Sequence, residues 1–304
     1  MADVTLPATA PAHPTTAEIA AAIREEKLRR GKRAAFFKHI FLIITSLVMI
    51  YPLIWMLASS LKPDNQIFGN LGLWPSEFRW GNYTAGWNAM AVSFTRFFLN
   101  STFVTVLSVI GNVISCSFAA YAFARLEFSG KNIWFALMMM TLMIPYHVVL
   151  IPQYILFLKA GWVDTYLPLI VPRFLAGDAF FIFLMVQFFR QLPRELDEAA
   201  MIDGCNPFKI YWAIILPLSV PAMATAAIFS FIWTWEDFLG PLVYLNDMQD
   251  YTVPLALRSF IAQDSVSAYG QLFAMSILSI VPIVLFFVIF QRLIIRGIAM
   301  SGLK

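Results

Sequence analysis

Six apolar runs, each roughly 20 residues or longer, restrict this chain more than any other feature, because a helix of that length crosses a hydrocarbon layer about 30 Å thick. They cover residues 37–60, 97–122, 133–157, 166–189, 218–239 and 272–291. Runs such as IWFALMMMTLMI do not alternate between apolar and polar side chains, which excludes the strands of a membrane barrel. The expected fold is all-α, a polytopic membrane protein with six transmembrane helices. Composition agrees: 60% of the 304 residues are hydrophobic and 13% charged, against roughly 45 to 50% and 25% in soluble domains. A soluble enzyme, a disordered chain and a secreted disulfide scaffold are thereby excluded. Cys116 in an apolar run and Cys205 in a polar stretch provide neither a disulfide framework nor a metal cluster.

Lys and Arg orient the spans, because short loops rich in them stay in the cytoplasm. Of the 21, one group comprises Arg24, Lys27, Arg29, Arg30, Lys32, Arg33 and Lys38 before span 1, with Arg125 and Lys131 after span 2. To these the loop after span 4 adds Arg190, Arg194 and Lys209, and the tail adds Arg292, Arg296 and Lys304. On the other side lie only Lys62, Arg79, Arg96, Lys159 and Arg258, while Arg173 falls inside span 4. Both termini are expected in the cytoplasm.

The expected organisation is a cytoplasmic tail over 1–35, a first transmembrane helix over 36–60, a periplasmic loop over 61–96, a core over 97–292 and a cytoplasmic tail over 293–304. The leader is too long for a secretory signal and is expected to be retained. Residues 1–14 are rich in Ala, Pro and Thr and read as disordered. Thr15 and Glu18 then have capping-box spacing, opening a helix-favouring stretch up to Gly31. Its cluster Arg29, Arg30, Lys32 and Arg33 would rest on anionic lipid headgroups, as a topological anchor rather than a regulatory site.

Between spans 4 and 5, residues 190–217 form a cytoplasmic loop too long for a simple connection. Pro193 ends span 4, and Glu195, Asp197 and Glu198 crowd the first turn of a new helix, where carboxylates meet the positive end of the dipole. Ala199, Ala200 and Ile202 are expected to form a small, smooth surface, with Asp203 beside it, and Gly204 lets the backbone turn. The apolar second half then returns to the membrane at Leu216 and Pro217. Such a helix suits insertion into a partner's groove; the bland alternative is an interfacial helix covering the ends of the neighbouring spans.

The spacing Glu198-Ala199-Ala200, three residues, Gly204, nine residues, Ile214, one residue, Leu216-Pro217 resembles the EAA loop of permease subunits of bacterial ATP-binding-cassette importers. FIWTWEDFLGPLVYLND and YTVPLALRSF resemble the carbohydrate-uptake type, and span 1 fits the six-span subunit similar to the smaller permease of the maltose importer. Two departures are the ending GIAMSGLK and Glu236, where Asn is common. The resemblance implies a type I ABC importer transmembrane fold in the bacterial inner membrane. It implies that the EAA helix docks in one of two copies of a separate ATPase, that the chain pairs with a second EAA-containing permease, and that an outer solute-binding protein delivers carbohydrate. ATP and Mg would be bound by the ATPase. The sequence agrees, because its Gly-Lys pairs, Gly31-Lys32 and Gly130-Lys131, are followed by Arg33 and Asn132 rather than the Ser or Thr of a P-loop.

Ionisable groups inside a membrane read as functional by default. Arg173 and Asp178 are five residues apart, too far for a helix-surface pair, so each is expected to face a polar cavity or another subunit. They are candidates for the translocation path, or else a structural polar contact between helices. Trp233, Trp235, Glu236 and Asp237 at the end of span 5 read either as an aromatic belt or as a sugar-stacking site with carboxylate acceptors. The outer loops carry Trp74, Trp80, Tyr83, Trp87, Tyr244 and Tyr251, which by resemblance receive the binding protein. His147, near the outer end of span 3, reads as structural, and Pro52, Pro152, Pro221 and Pro282 as kinks.

Two other classes compete. An ion-coupled secondary transporter would show interrupted spans repeated in two halves, a repeat this chain lacks. A membrane enzyme would need a catalytic or metal constellation, whereas Glu236 and Asp237 point different ways on one helix and have no His beside them. No catalytic, metal or nucleic-acid site is expected. Within the importer reading, Arg173 keeps open an anionic uronide oligosaccharide in place of a neutral sugar.

Overall fold

The computed structural model describes residues 16–69, 72–263 and 268–301, with only the backbone described at 16–30, 32–34, 261–263 and 294–301. The expected disorder of residues 1–14, the Thr15 cap and the last residues of GIAMSGLK lie outside the described residues, as do the side chains of Arg29, Arg30, Lys32 and Arg33. The chain divides into two units, Met1–Met56 and Leu57–Lys304.

The first unit is carried by α1, Thr16–Ser60, a single helix of 45 residues whose last turn enters the second unit. It continues through Gly31, where a break was expected. One glycine costs a helix only about 1 kcal/mol relative to alanine, and the Arg, Lys, Glu and Ala residues on both sides offset it. Pro52 likewise lies inside the helix. The most apolar window of α1 is wholly unburied, as a lipid-facing surface requires.

The second unit is built around α2, Phe94–Arg125. Over residues 100–120 its buried face is mostly small or polar, with Asn100, Ser101, Thr105, Ser108, Gly111, Asn112, Ser117 and Ala120, while Phe94, Phe97 and Tyr121 bury large rings nearer its ends. The opposite face, with Leu99, Phe103, Val106, Ile110 and Ile114, is exposed. This inverts a soluble helix, because lipid solvates leucine as well as a core does, so small residues and hydrogen bonds draw membrane helices together. Accordingly Asn112 donates to Ser230 Oγ at 3.2 Å, and a methyl at Gly111 would lie 2.5 Å from the Phe174 ring.

Spans 3, 4 and 5 are interrupted. Span 3 is a pair, α3 (Lys131–Thr141) and α4 (Tyr146–Lys159), bent by 99°. Pro145 precedes α4 and biases Ile144 away from helical geometry, so the single expected helix does not form. His147 therefore sits just past this mid-span bend rather than near the outer end, with its ring against Tyr146. Span 4 runs as a helical turn Leu167–Ile170, a 3-10 segment Val171–Leu175, a left-handed Ala176 at φ 52°, and then α5, Ala179–Gln191.

The loop helix α6 spans Glu195–Ile202. Span 5 follows as Pro207–Leu218, including a π-helical stretch Tyr211–Ile215, and α7, Val220–Trp235, with a 76° bend between them. Pro221 thus opens α7 instead of kinking it. Beyond lie α8, Val253–Gln263, and α9, Tyr269–Ser301, with Pro152 and Pro282 held inside α4 and α9. Among the described residues four helices are long and apolar enough to cross a bilayer, and counting each of the two bent pairs as one span raises this to six.

Two cores hold the unit. One joins Tyr121 of α2 to Phe181, Met185 and Phe189 of α5 and to Tyr211 and Ile215. The other joins Phe94 and Phe97 to Phe231, Trp235, Phe260 and Met275.

Candidate functional site

The 190–217 loop is tethered to the end of α2 by one buried ion pair. Arg125 Nη1 lies 3.1 Å from Asp197 Oδ2, with side chains only 3% and 13% exposed. The second guanidinium nitrogen, Nη2, donates to the Leu192 carbonyl at 2.8 Å, and Tyr121 Oη donates to the Pro207 carbonyl at 2.9 Å. Ala200 is buried in the first core, while Ala199, Glu195, Glu198, Asp203 and Gly204 are exposed. The expected smooth surface of Ala199, Ala200 and Ile202 is therefore not one surface. Ala200 anchors α6 inward, and Ile202, 88% exposed, is the part offered outward, with Met201 beside it. Asp197 also leaves the acidic outward group, because burial demands a counter-charge and Arg125 supplies it.

Gly204 closes α6. Its φ of 78° is left-handed, its N–H donates to Met201 O at 3.0 Å, and the Cys205 N–H donates to Ala200 O at 2.9 Å. This is a Schellman cap, which favours glycine at that position. Asn206 then caps the next turn by accepting the Lys209 N–H at 2.8 Å. Ile214 is partly buried against the first core; Leu216 and Pro217 follow the π-helical stretch at the turn into α7.

The interruptions of spans 3 and 4 converge, beside the end of α7, on a cavity of about 570 Å³, lined among others by Tyr146, Arg173, Asp178, Thr234, Asp237 and Tyr244. Non-helical backbone at membrane depth is tolerated where it lines a cavity. Arg173 Nη1 meets Asp178 Oδ2 at 3.1 Å, so the two residues, each expected to face a polar cavity or another subunit, line the cavity paired with each other. The intervening 3-10 turn and left-handed Ala176 shorten a five-residue separation that a regular helix would have splayed.

Asp237 lies past the end of α7 and accepts the Gly240 N–H at 3.1 Å, while Glu236 beside it is exposed and does not line the cavity. Trp235 is 3% exposed, stacks on Phe231 and donates to the Ser279 carbonyl at 3.0 Å, which makes it core. Trp233 is exposed and touches Phe180, Phe181 and Phe229, outside the cavity lining. Of the six expected pathway residues, Arg173, Asp178 and Asp237 are brought together, and the other three are not.

Tyr244 Oη and Thr252 Oγ1 line the same cavity, buried and without a hydrogen-bond partner among the described residues. Burial raises the Tyr244 phenol above its ordinary pKa, and the nearby charge of Asp237 adds to this, so it remains a donor. Tyr146, Thr234 and Arg125 carried no individual signal in the sequence, although Tyr146 adjoins the span-breaking Pro145. In the loop 61–96, Trp74 and Trp80 are exposed, whereas Trp87 stacks on Phe98 and Tyr83 bonds to Ser60. No cluster of three or more His, Cys, Asp or Glu residues suited to a metal occurs among the described residues.

An all-helical unit with interrupted spans around a polar cavity, and a capped helix on the loop between spans 4 and 5, defines a membrane transport subunit. Residues 111–300 match the family model described as the binding-protein-dependent transport system inner membrane component, and the chain belongs to that family. It is 33% identical over 266 residues to a probable ABC transporter permease, YurM, of Bacillus subtilis, covering 87% of each chain. It is 33% identical to the arabinooligosaccharide permease AraQ of Halalkalibacterium halodurans, over 84% of this chain and 92% of that one. With the trehalose/maltose permease MalG of Thermococcus litoralis it shares 32% identity over 90% of this chain and 99% of the relative. A solved bacterial ABC transporter involved in import of the acidic polysaccharide alginate has the same fold, with a TM-score of 0.74 and 21% identity, over 87% of this chain and 97% of that chain. Membership sets aside the secondary-transporter and enzyme readings: the chain is a transport subunit, and ATP hydrolysis belongs to a separate ATPase.

Proposed function

We propose that this chain forms half of the translocation path of a carbohydrate importer, and that α6 is the point where a partner ATPase, holding ATP and Mg, drives it. The observation that carries the substrate reading is the cavity at the converging breaks, with its unpaired Tyr244 and Thr252 hydroxyls beside Asp237. Hydroxyl donors and carboxylate acceptors around apolar walls suit a polyhydroxylated solute. The names of AraQ, for arabinooligosaccharides, and MalG, for trehalose and maltose, support the same class.

Within that class the solute is neutral rather than a uronide. Arg173 is already committed to Asp178, and Asp237 adds a further carboxyl group to the same lining. Whether Asp237 is charged or neutral, no unpaired cation remains among the described lining residues to receive an anionic sugar. The likeness to the alginate importer is one of fold at 21% identity and does not outweigh this.

The partners follow the family arrangement: a second permease completing the path, two copies of the ATPase, and an outer binding protein received by the loops bearing Trp74 and Trp80. Both termini and the 190–217 loop lie in the cytoplasm, on the Lys and Arg distribution. The test is uptake by the assembled importer of labelled neutral oligosaccharides against uronides of equal length, paired with a thermal-shift panel on its binding protein. Preferential uronide uptake overturns the neutral reading. External accessibility of cysteines placed at Ile202 overturns the orientation.

A further inference from the structure

A second polar pocket, of about 290 Å³, lies where the end of α2, the start of α3 and the end of α5 meet. Its lining holds four cations, Arg125, Lys131, Arg190 and Arg194, and one carboxylate, Glu127. The proposed transport function leaves this pocket unused. Glu127 Oε1 takes Lys131 Nζ at 3.1 Å and lies 3.9 Å from Arg194 Nη2, so one acid is shared by two bases. Arg190 is placed over the Phe135 ring at 5.3 Å and is given no ion-pair partner among the described residues. Arg125 is 97% buried by side chain, and its Nε has no hydrogen-bond partner among the described residues even though Asp197 and Leu192 occupy the other two nitrogens.

The surroundings of the pocket indicate the source of its ligand. Next to Lys131 and Asn132 on α3, Ile133, Trp134 and Leu137 are 67%, 60% and 48% exposed, and Phe128 just before α3 is 40% exposed. An outward Trp beside buried-stem basic residues at the end of an apolar helix marks the level where acyl chains give way to headgroups. The basic pocket thus opens beside an apolar surface that only lipid tails or another membrane helix solvate. We propose that this pocket binds the phosphate of an anionic phospholipid, with Arg190 and Arg194 making the exposed contacts and Arg125 Nε an inner donor. A phosphodiester supplies the several acceptor oxygens that this excess of guanidinium donors lacks. Bound there, the headgroup would sit on the same Arg125 that holds α6 through Asp197.

The test titrates the delipidated, assembled importer with short-chain phosphatidylglycerol or phosphatidylcholine and counts retained lipid by native mass spectrometry. Wild type should retain phosphatidylglycerol selectively, and Arg190→Gln/Arg194→Gln should weaken that retention about thirty-fold, at about 1 kcal/mol for each basic residue near the surface. Arg190→Lys/Arg194→Lys should restore it, which separates lost charge from lost folding. Equal retention of the two lipids, or an unchanged double Gln variant, overturns the proposal. Inorganic phosphate that binds alone and displaces the lipid makes this a free-anion site and overturns the lipid assignment. Loss of the ATPase from the double Gln variant with lipid retention intact assigns the cations to a protein partner instead.

Discussion

Removing the charge of Asp197 by Asp197→Asn should release α6 from α2 while leaving the membrane helices folded. The pair is 3.1 Å long and its side chains are 3% and 13% exposed, so solvent screening is weak and the exposed-pair discount does not apply. Breaking a buried pair from one side costs about 3 to 5 kcal/mol, because the remaining charge is stranded. The lower end applies here. Arg125 keeps its bond to the Leu192 carbonyl, and Arg125 Nε and Asp197 Oδ1 are unpaired in the wild type, so the contact is single rather than forked. At about 3 kcal/mol, the open population of the loop rises about 150-fold. Hydrogen exchange on the amides of residues 195–205 reads this directly, and amides of α2 near Asn112 serve as the unchanged reference. Arg125→Met should cost a similar amount, and Arg125→Met/Asp197→Leu much less than the sum, since no charge is then stranded. Additivity of the two single changes within about 0.5 kcal/mol would show that the two residues do not interact, and the tether would be refuted.

Gly204→Ala should strain the loop by about 1 to 2 kcal/mol, because φ is 78° and no neighbouring atom lies within 4 Å of the added methyl; the assembled importer should keep its folded helix content and lose transport-coupled ATPase activity. Tyr244→Phe removes an unpartnered buried hydroxyl, so the melting temperature should hold or rise while uptake falls; a drop in stability would mean that the hydroxyl is structural. Gly111→Ala places a methyl 2.5 Å from the Phe174 ring, next to Arg173, and should cut uptake although position 111 touches no solute. Arg173→Leu strands Asp178 in the cavity wall, and unchanged uptake would remove the pair from the path.

The class of fold was legible because length and apolarity alone decide what crosses a bilayer. The EAA helix was legible too, since Pro193, the acidic first turn and Gly204 each specify local backbone. What stayed hidden depends on which way a side chain turns. Asp197 counted as one of three equivalent acids in that first turn, and only the packing of α6 against α2 distinguishes it. Trp235 read as a possible sugar platform, yet it lies two residues from the exposed Trp233, more than half a turn round the helix, and its own ring is buried. Arg173 and Asp178 read as apart because a five-residue spacing is slightly long for a pair on a helix surface, although Pro172 and Gly177 already loosen that turn. Those residues, with Pro145, were the available signal that spans 3 and 4 break and that their breaks could face one another.

The breaks also bear on how the cavity could answer to α6. α5 starts at Ala179, directly after Asp178, and ends at Gln191, three residues before α6. Its thirteen residues span about 20 Å at 1.5 Å per residue, and Phe181, Met185 and Phe189 lock one face into the first core. A rigid rod of that kind does not absorb displacement along its length; the soft points are its ends, at left-handed Ala176 on one side and Pro193 on the other. In the proposed mechanism, movement of α6 therefore arrives at the Arg173–Asp178 pair as a shift of one cavity wall against α2. The small face of α2, with Gly111 against Phe174, is the surface over which that wall would slide. That is why a methyl group at Gly111 is expected to impair transport without altering a single polar contact to the solute.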